Sequence, residues 1–153
     1  VEIFGKSSVS THLIVGLGES EEDLVRMIQR CADNGIYPSL FAFTPVPGTL
    51  MEDCPRPSVS VYRRIQLAQY LITHSIAKYD DMTFREGQLM SFGILRKDLK
   101  KTIDTGEPFR TSGCPGCNRP YYNERPGGLI YNYPRKPRPE EIDEIKKQIG
   151  MIS

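Results

Sequence analysis

His12-Leu13-Ile14-Val15-Gly16-Leu17-Gly18-Glu19 is the stretch from which the fold is read. It closes a mostly apolar run from Val9 to Gly16, with Leu13, Ile14 and Val15 consecutive, and such a run predicts a strand buried on both faces of a parallel sheet. Gly16-Leu17-Gly18 ends it. The carboxyl end of a strand that feeds a helix is where open sheets and α/β barrels place ligands, and glycine there lets a flat ligand approach the backbone. Ile14 can present an apolar face to a purine, or it can be a core residue. Glu19 can hold the turn together, accept a hydrogen bond, or belong to the N-terminal box of the next helix. Glycine-rich strand–helix turns are common, so the residues alone leave these alternatives open.

Outward from this turn the chain alternates. Ser20 with Asp23 three residues later resembles a capping box, and Leu24, Met27, Ile28 and Cys31 follow at helical spacing until Gly35 stops the helix. Leu40 to Thr44 predicts a second apolar strand, closed by Pro45-Val46-Pro47-Gly48, which completes a β-α-β unit. Ser58 or Ser60 can cap a long helix with Val61, Ile65, Ala68 and Ile72 as its inner stripe. Met82 to Ile94 predicts a short strand and a turn around Gly87, and Leu95 to Thr105 a charged helix ending before Gly106. An extended stretch, Gly127 to Pro137, leads to a last helix from Pro139 through Ile142, Ile145 and Ile149 to Gly150, with Glu140 and Glu141 at its positive end.

The 153 residues suit one core of ordinary size, and the start at Val1, with a strand soon after, reads as part of something longer. Twenty basic and nineteen acidic residues give a net charge of +1, which offers no electrostatic surface for nucleic acid; Arg96–Lys101 and Arg135–Arg138 read as solvated faces. No apolar run reaches the ~18 residues of a membrane span and no signal peptide is visible, so a cytoplasmic protein without membrane association is expected. Four cysteines then read as ligands, catalysts or core fillers rather than disulfides. After about Thr105 the composition turns rich in Pro, Gly and Tyr, dividing the chain into residues 1–105 and a tail, 106–153.

The tail concentrates its chemistry between Ser112 and Pro126, where Cys114-Pro115-Gly116-Cys117 is followed by Asn118-Arg119-Pro120. A Pro-Gly turn points two sulfurs inward with backbone N–H groups around them, as a metal or cluster knuckle needs. A thiol–disulfide pair is the rival, but its reactive thiolate ordinarily sits at a helix N-terminus, and Pro120 discourages helix at Arg119. A structural loop with idle thiols also remains. Of the other polar residues, Cys54 reads as a free thiol in a loop, Cys31 as core, His12 as a satisfied strand histidine and His74 as a partner for helix-end carbonyls. Arg119, Glu124 and Arg125 either serve the knuckle or form a salt-bridged loop, and Tyr121, Tyr122, Tyr131 and Tyr133 pack the tail.

His12 to Glu19 resembles the fifth-strand motif of radical S-adenosylmethionine enzymes, Gly-x-Ile-x-Gly-x-x-Glu, with Ile14, Gly16 and Glu19 matching and His12 in place of the first glycine. Phe41 to Thr49 resembles that family's sixth strand and turn, and Glu86 to Gly93 its barrel-closing region. Thr111 to Pro126, with Tyr131-Asn132-Tyr133-Pro134, is similar to the C-terminal signature of biotin-synthase-like members, including those of two-component lipoyl synthases. The resemblance implies an α/β fold, the C-terminal portion of a partial six-stranded (β/α) TIM-type barrel followed by an irregular tail and short helix. It implies S-adenosylmethionine as cofactor, its adenine supported by Ile14, Gly16 and Glu19, and sulfur insertion into unactivated C–H bonds.

It also implies a radical-generating 4Fe–4S cluster on a Cys-x-x-x-Cys-x-x-Cys loop. That triplet is absent from the sequence, so the loop is expected upstream and the fragment alone is expected to be inactive. Cys114 and Cys117 become candidate ligands of an auxiliary iron–sulfur cluster, with a companion radical subunit, an acyl-carrier protein or a small-molecule substrate as partners. The contrasting expectation is a zinc-knuckle interaction module, and a disulfide oxidoreductase is a third.

Overall fold

The computed structural model describes residues 9–112 and 128–150. Strand β1 (Val9–Val15) passes through the glycine turn into helix α1 (Glu21–Asp33), and β2 (Ile36–Ala42) returns parallel to β1, in register from Val9↔Ile36 to Val15↔Ala42. Helix α1 begins where its sequence requires. The Asp23 amide donates to Ser20 Oγ at 3.1 Å and the Ser20 amide to the Asp23 carboxylate at 3.3 Å, a reciprocal box. Leu24, Ile28 and Cys31 are buried as their spacing predicts, and burial pushes the Cys31 thiol pKa up. Val25 also enters the core, whereas Met27 stays 43% exposed.

Two expectations about the strands change. Strand β1 is not buried on both faces: Val15 joins the core, while Ser10, His12 and Ile14 on the opposite face are exposed. Successive side chains of a strand point to opposite sides, and the core that holds Val15, Leu40 and Ala42 with α1 lies on one of them. Strand β2 starts at Ile36 rather than Leu40. Pro38 lies within it, tolerated because β2 borders the sheet among the described residues, and its carbonyl accepts from Gln69 Nε2 at 3.1 Å.

Helix α2 (Val59–Thr73) is capped by Ser58, whose Oγ accepts from the Val61 amide at 3.3 Å; Ser60 instead donates to the Gln148 carbonyl at 2.6 Å. Every residue from Tyr62 to Gln69 is buried, so α2 has neighbours on all sides rather than a single inner stripe. Its polar side chains are therefore bonded inside. Arg64 forms a bidentate pair with Glu21 (Nε to Oε2 2.9 Å, Nη2 to Oε1) and donates to Ser60 Oγ at 2.9 Å. Arg63 donates to Gln66 Oε1 at 2.7 Å, Gln148 Oε1 at 3.0 Å and the carbonyls of Ile130 and Tyr131, with its guanidinium over the rings of Phe109 and Tyr133.

Strands β3 (Thr83–Arg85) and β4 (Gln88–Ser91) form a hairpin whose two turn residues, Glu86 (φ 51°) and Gly87 (φ 77°), are both left-handed, the geometry that matches strand twist. The hairpin docks on the start of α1: the Glu22 amide donates to the Gly87 carbonyl at 3.0 Å and the Leu89 amide to Glu21 Oε2 at 3.1 Å. Helix α3 (Arg96–Thr105) ends at Gly106, and helix α4 (Pro139–Ile149) buries Ile142, Ile145 and Ile149, both as predicted. The described residues 128–137 before α4 form no regular strand; Tyr133 bridges to Arg110, and both Tyr131 and Tyr133 are buried. Among the described residues the sheets are this hairpin and the parallel pair, and no barrel is formed. No helix among them is long and apolar enough to cross a membrane.

Glu21→Ala leaves the Arg64 guanidinium buried without its carboxylate and is expected to cost about 3–5 kcal/mol, read as a lower urea midpoint. Pairing Glu21→Leu with Arg64→Met should recover most of that loss. At α4, the Arg135 guanidinium and then the Arg138 amide hold the Glu141 carboxyl at about 2, below its ordinary 4.5. Because the folded value is the lower one, this contribution is complete above the unfolded pKa and is lost as pH falls toward the folded one. Unfolding measured from pH 4.5 down to about 2 should therefore fall less steeply for Glu141→Gln than for the wild type.

Candidate functional site

The turn between β1 and α1 is held from both sides. Gly16 (φ 105°) and Gly18 (φ 108°) take backbone conformations that L side chains rarely adopt. Glu19 closes the loop they make, its Oε1 accepting from the Gly16 amide at 2.7 Å and Oε2 from the Leu17 amide at 2.8 Å. Glu19 thus holds the turn together by accepting two hydrogen bonds, and the helix box belongs to Ser20 and Asp23. Behind the turn stands Pro57, whose Cδ would lie 2.9 Å from a Cβ at Gly16 and whose carbonyl accepts from Tyr131 Oη at 2.7 Å.

In front lies a cleft of about 440 Å³ lined by His12, Ile14, Leu17, Phe41, Ala42, Phe43 and Thr44. It occupies the carboxyl ends of the two parallel strands, on the face away from the core. Ile14 is 44% exposed there and Leu17 48%, so Ile14 is not a core residue. His12 meets Phe41 edge-on, ring centroids 4.7 Å apart at 77°. Among the described residues its imidazole makes no hydrogen bond, which corrects the expectation of a satisfied histidine. His74 behaves as expected of it, with Nδ1 2.9 Å from the Tyr70 carbonyl and its ring stacked on Tyr70.

The structure thus brings Ile14, Gly16 and Glu19 together, with different tasks: an exposed apolar surface, a close backbone approach, and a clamp. Cys114 and Cys117 lie outside the described residues, as do Arg119, Tyr121, Tyr122, Glu124 and Arg125. The described chain on either side is tied down: the Leu40 amide donates to Ser112 Oγ at 2.9 Å, and the Thr111 amide to the Tyr133 carbonyl at 2.9 Å. Cys54 is a half-buried free thiol, and no group of three or more His, Cys, Asp or Glu placed to hold a metal ion occurs among the described residues. Leu17, Phe43 and His12 line one cleft, a grouping not evident from the sequence. The period-two spacing of His12 and Ile14 was the available signal. No family model, curated protein or solved structure matches the chain.

Gly16→Ala and Gly18→Ala are expected to be unequal. Each carries backbone strain on the order of 1–3 kcal/mol, but only the first drives a methyl against Pro57. Thermal unfolding should therefore place Gly16→Ala clearly below Gly18→Ala, and equal midpoints would show that Pro57 gives way freely.

Proposed function

We propose that this chain contributes an adenosine-holding strand and turn, together with a cysteine-bearing tail, to a radical S-adenosylmethionine enzyme of the biotin and lipoyl synthase type, one that inserts sulfur into unactivated C–H bonds. The observation that carries the reading is the exposed Ile14 in an apolar cleft at the carboxyl ends of parallel strands, directly before a clamped glycine turn.

The residues present fit the cofactor's adenosyl part. Apolar side chains with a few polar groups line the cleft, as is usual for a small-ligand site, and Ile14, Leu17, Phe41 and Phe43 offer surfaces for a flat ring. Gly16 and Gly18 carry no side chain to obstruct the approach. Glu19 acts through the backbone: by spending both oxygens on the amides of Gly16 and Leu17 it keeps the turn in one shape. When bound and reductively cleaved, the cofactor supplies a 5′-deoxyadenosyl radical for hydrogen abstraction; this chain's task is to bind, orient and shield. Cys114 and Cys117 would hold an auxiliary iron–sulfur cluster as sulfur source. Two thiolates are half of the usual set, so further ligands come from other cysteines or from a companion subunit. The molecule that receives sulfur is an acyl group on a carrier protein or a small molecule.

Two measurements test this. The full chain, purified and reconstituted without oxygen, should hold iron and sulfide, and Cys114→Ala or Cys117→Ala should lose most of both; stoichiometric zinc without iron would support the zinc-knuckle alternative. Ile14→Asp should weaken 5′-deoxyadenosine binding by about tenfold or more while leaving the unfolding midpoint little changed, since the side chain is exposed.

A further inference from the structure

We propose that His12 is the residue that reads the polar edge of the ring held in this cleft, through a hydrogen bond at its imidazole. The inference rests on the adenosine-site reading and adds to it a specificity-determining side chain.

His12 and Ile14 are two residues apart on one strand, so they share a face and their Cα atoms are about 6–7 Å apart. Both line the cleft. A planar ring lying on Ile14 and Phe41 therefore ends against the imidazole, whose edge-on packing on Phe41 limits the orientations it can take. The two histidines of this chain differ in a telling way. His74 has its Nδ1 at the Tyr70 carbonyl and serves the end of α2. His12 is exposed on the open face of β1, and among the described residues no internal hydrogen bond occupies either ring nitrogen.

Its surroundings give such a group leverage. Ile14, Leu17, Phe41, Ala42 and Phe43 offer a ligand no side-chain hydrogen bond, so among the side chains lining the cleft only His12 and Thr44 can replace hydrogen bonds to water that a purine gives up on entering. Neutral imidazole both donates and accepts, which suits an edge carrying a ring nitrogen beside an amino group. A site built this way discriminates against flat apolar rings of the same size, because an unpaired polar group costs more than a lost apolar contact.

The presence of only two histidines makes the test direct. The full chain is titrated with 5′-deoxyadenosine while the imidazole C–H and isoleucine methyl resonances are followed by NMR. His12 and Ile14 should shift together along one saturation curve, with His74 unmoved. His12→Phe should weaken binding about tenfold, equivalent to about 1.4 kcal/mol, and His12→Gln, which retains a donor and an acceptor, should stay within about threefold of wild type. Circular dichroism of both variants should match the wild type, because the replaced side chain is exposed. A shift at Ile14 without one at His12, or wild-type affinity in His12→Phe, overturns the role of His12 and leaves the adenosine site standing. No shift at either residue overturns both.

Discussion

Helix α2 is buried along eight consecutive residues, four of them polar, and that constraint shapes the rest of the molecule. A guanidinium inside a protein must have its donors met, since an unpaired buried charge costs several kcal/mol. Arg64 meets this demand through Glu21 and so binds α2 to α1. Arg63 meets it through the carbonyls of Ile130 and Tyr131 and the side chains of Gln66 and Gln148, which fixes an otherwise irregular segment and the end of α4. Gln66 and Gln69 extend the pattern, one to the Tyr131 carbonyl and Asn132 Oδ1, the other to the Pro38 carbonyl in β2. Hydrogen bonds to buried charge thus do work that a regular element would do elsewhere.

The candidate site inherits its rigidity from this arrangement. Tyr131, fixed through its carbonyl by Arg63, holds Pro57 through its hydroxyl, and Pro57 backs the turn at Gly16. Glu19 closes the same turn from within. The apolar cleft is therefore bordered by a backbone loop positioned from behind by the tail and internally by one carboxylate. With α1 and α2 gathered on one face of the parallel pair, Ile14, His12 and Phe41 remain on the other.

Much of this was legible in the sequence where a single residue type has a single local use. Ser20 with Asp23, Ser58, Gly35, Gly106 and Gly150 mark helix ends through side-chain caps or left-handed backbone, and the structure has each where it was expected. The β-α-β order followed from those marks. What was not legible depends on neighbours distant in sequence. The burial of Arg63, Arg64, Gln66 and Gln69 was not among the expectations, because nothing local announces Glu21 or the 130–132 carbonyls as partners. Ile14 also read as core, since three consecutive apolar residues hide a strand's alternation. Glu19 had three plausible tasks, and only the positions of two amides distinguish them. The Cys114-Pro115-Gly116-Cys117 stretch, the most specific chemical feature of the sequence, lies outside the described residues.

The sharing of Glu21 has a consequence for how the molecule opens. One of its oxygens serves both Arg64 Nε and the Leu89 amide, so a single carboxylate joins α1, α2 and the β3–β4 hairpin. A two-stranded hairpin of this length has little stability of its own. Here it cannot peel away without stripping a bond from a buried ion pair, which couples its opening to that of the two helices as one cooperative unit. The loop from Val46 to Leu50, where Val46 is 56% exposed and Leu50 fully so, has no such tie to the core through its apolar side chains. Slow native-state fluctuations should therefore follow shared carboxylate bonding rather than sequence distance, with the hairpin opening together with the core.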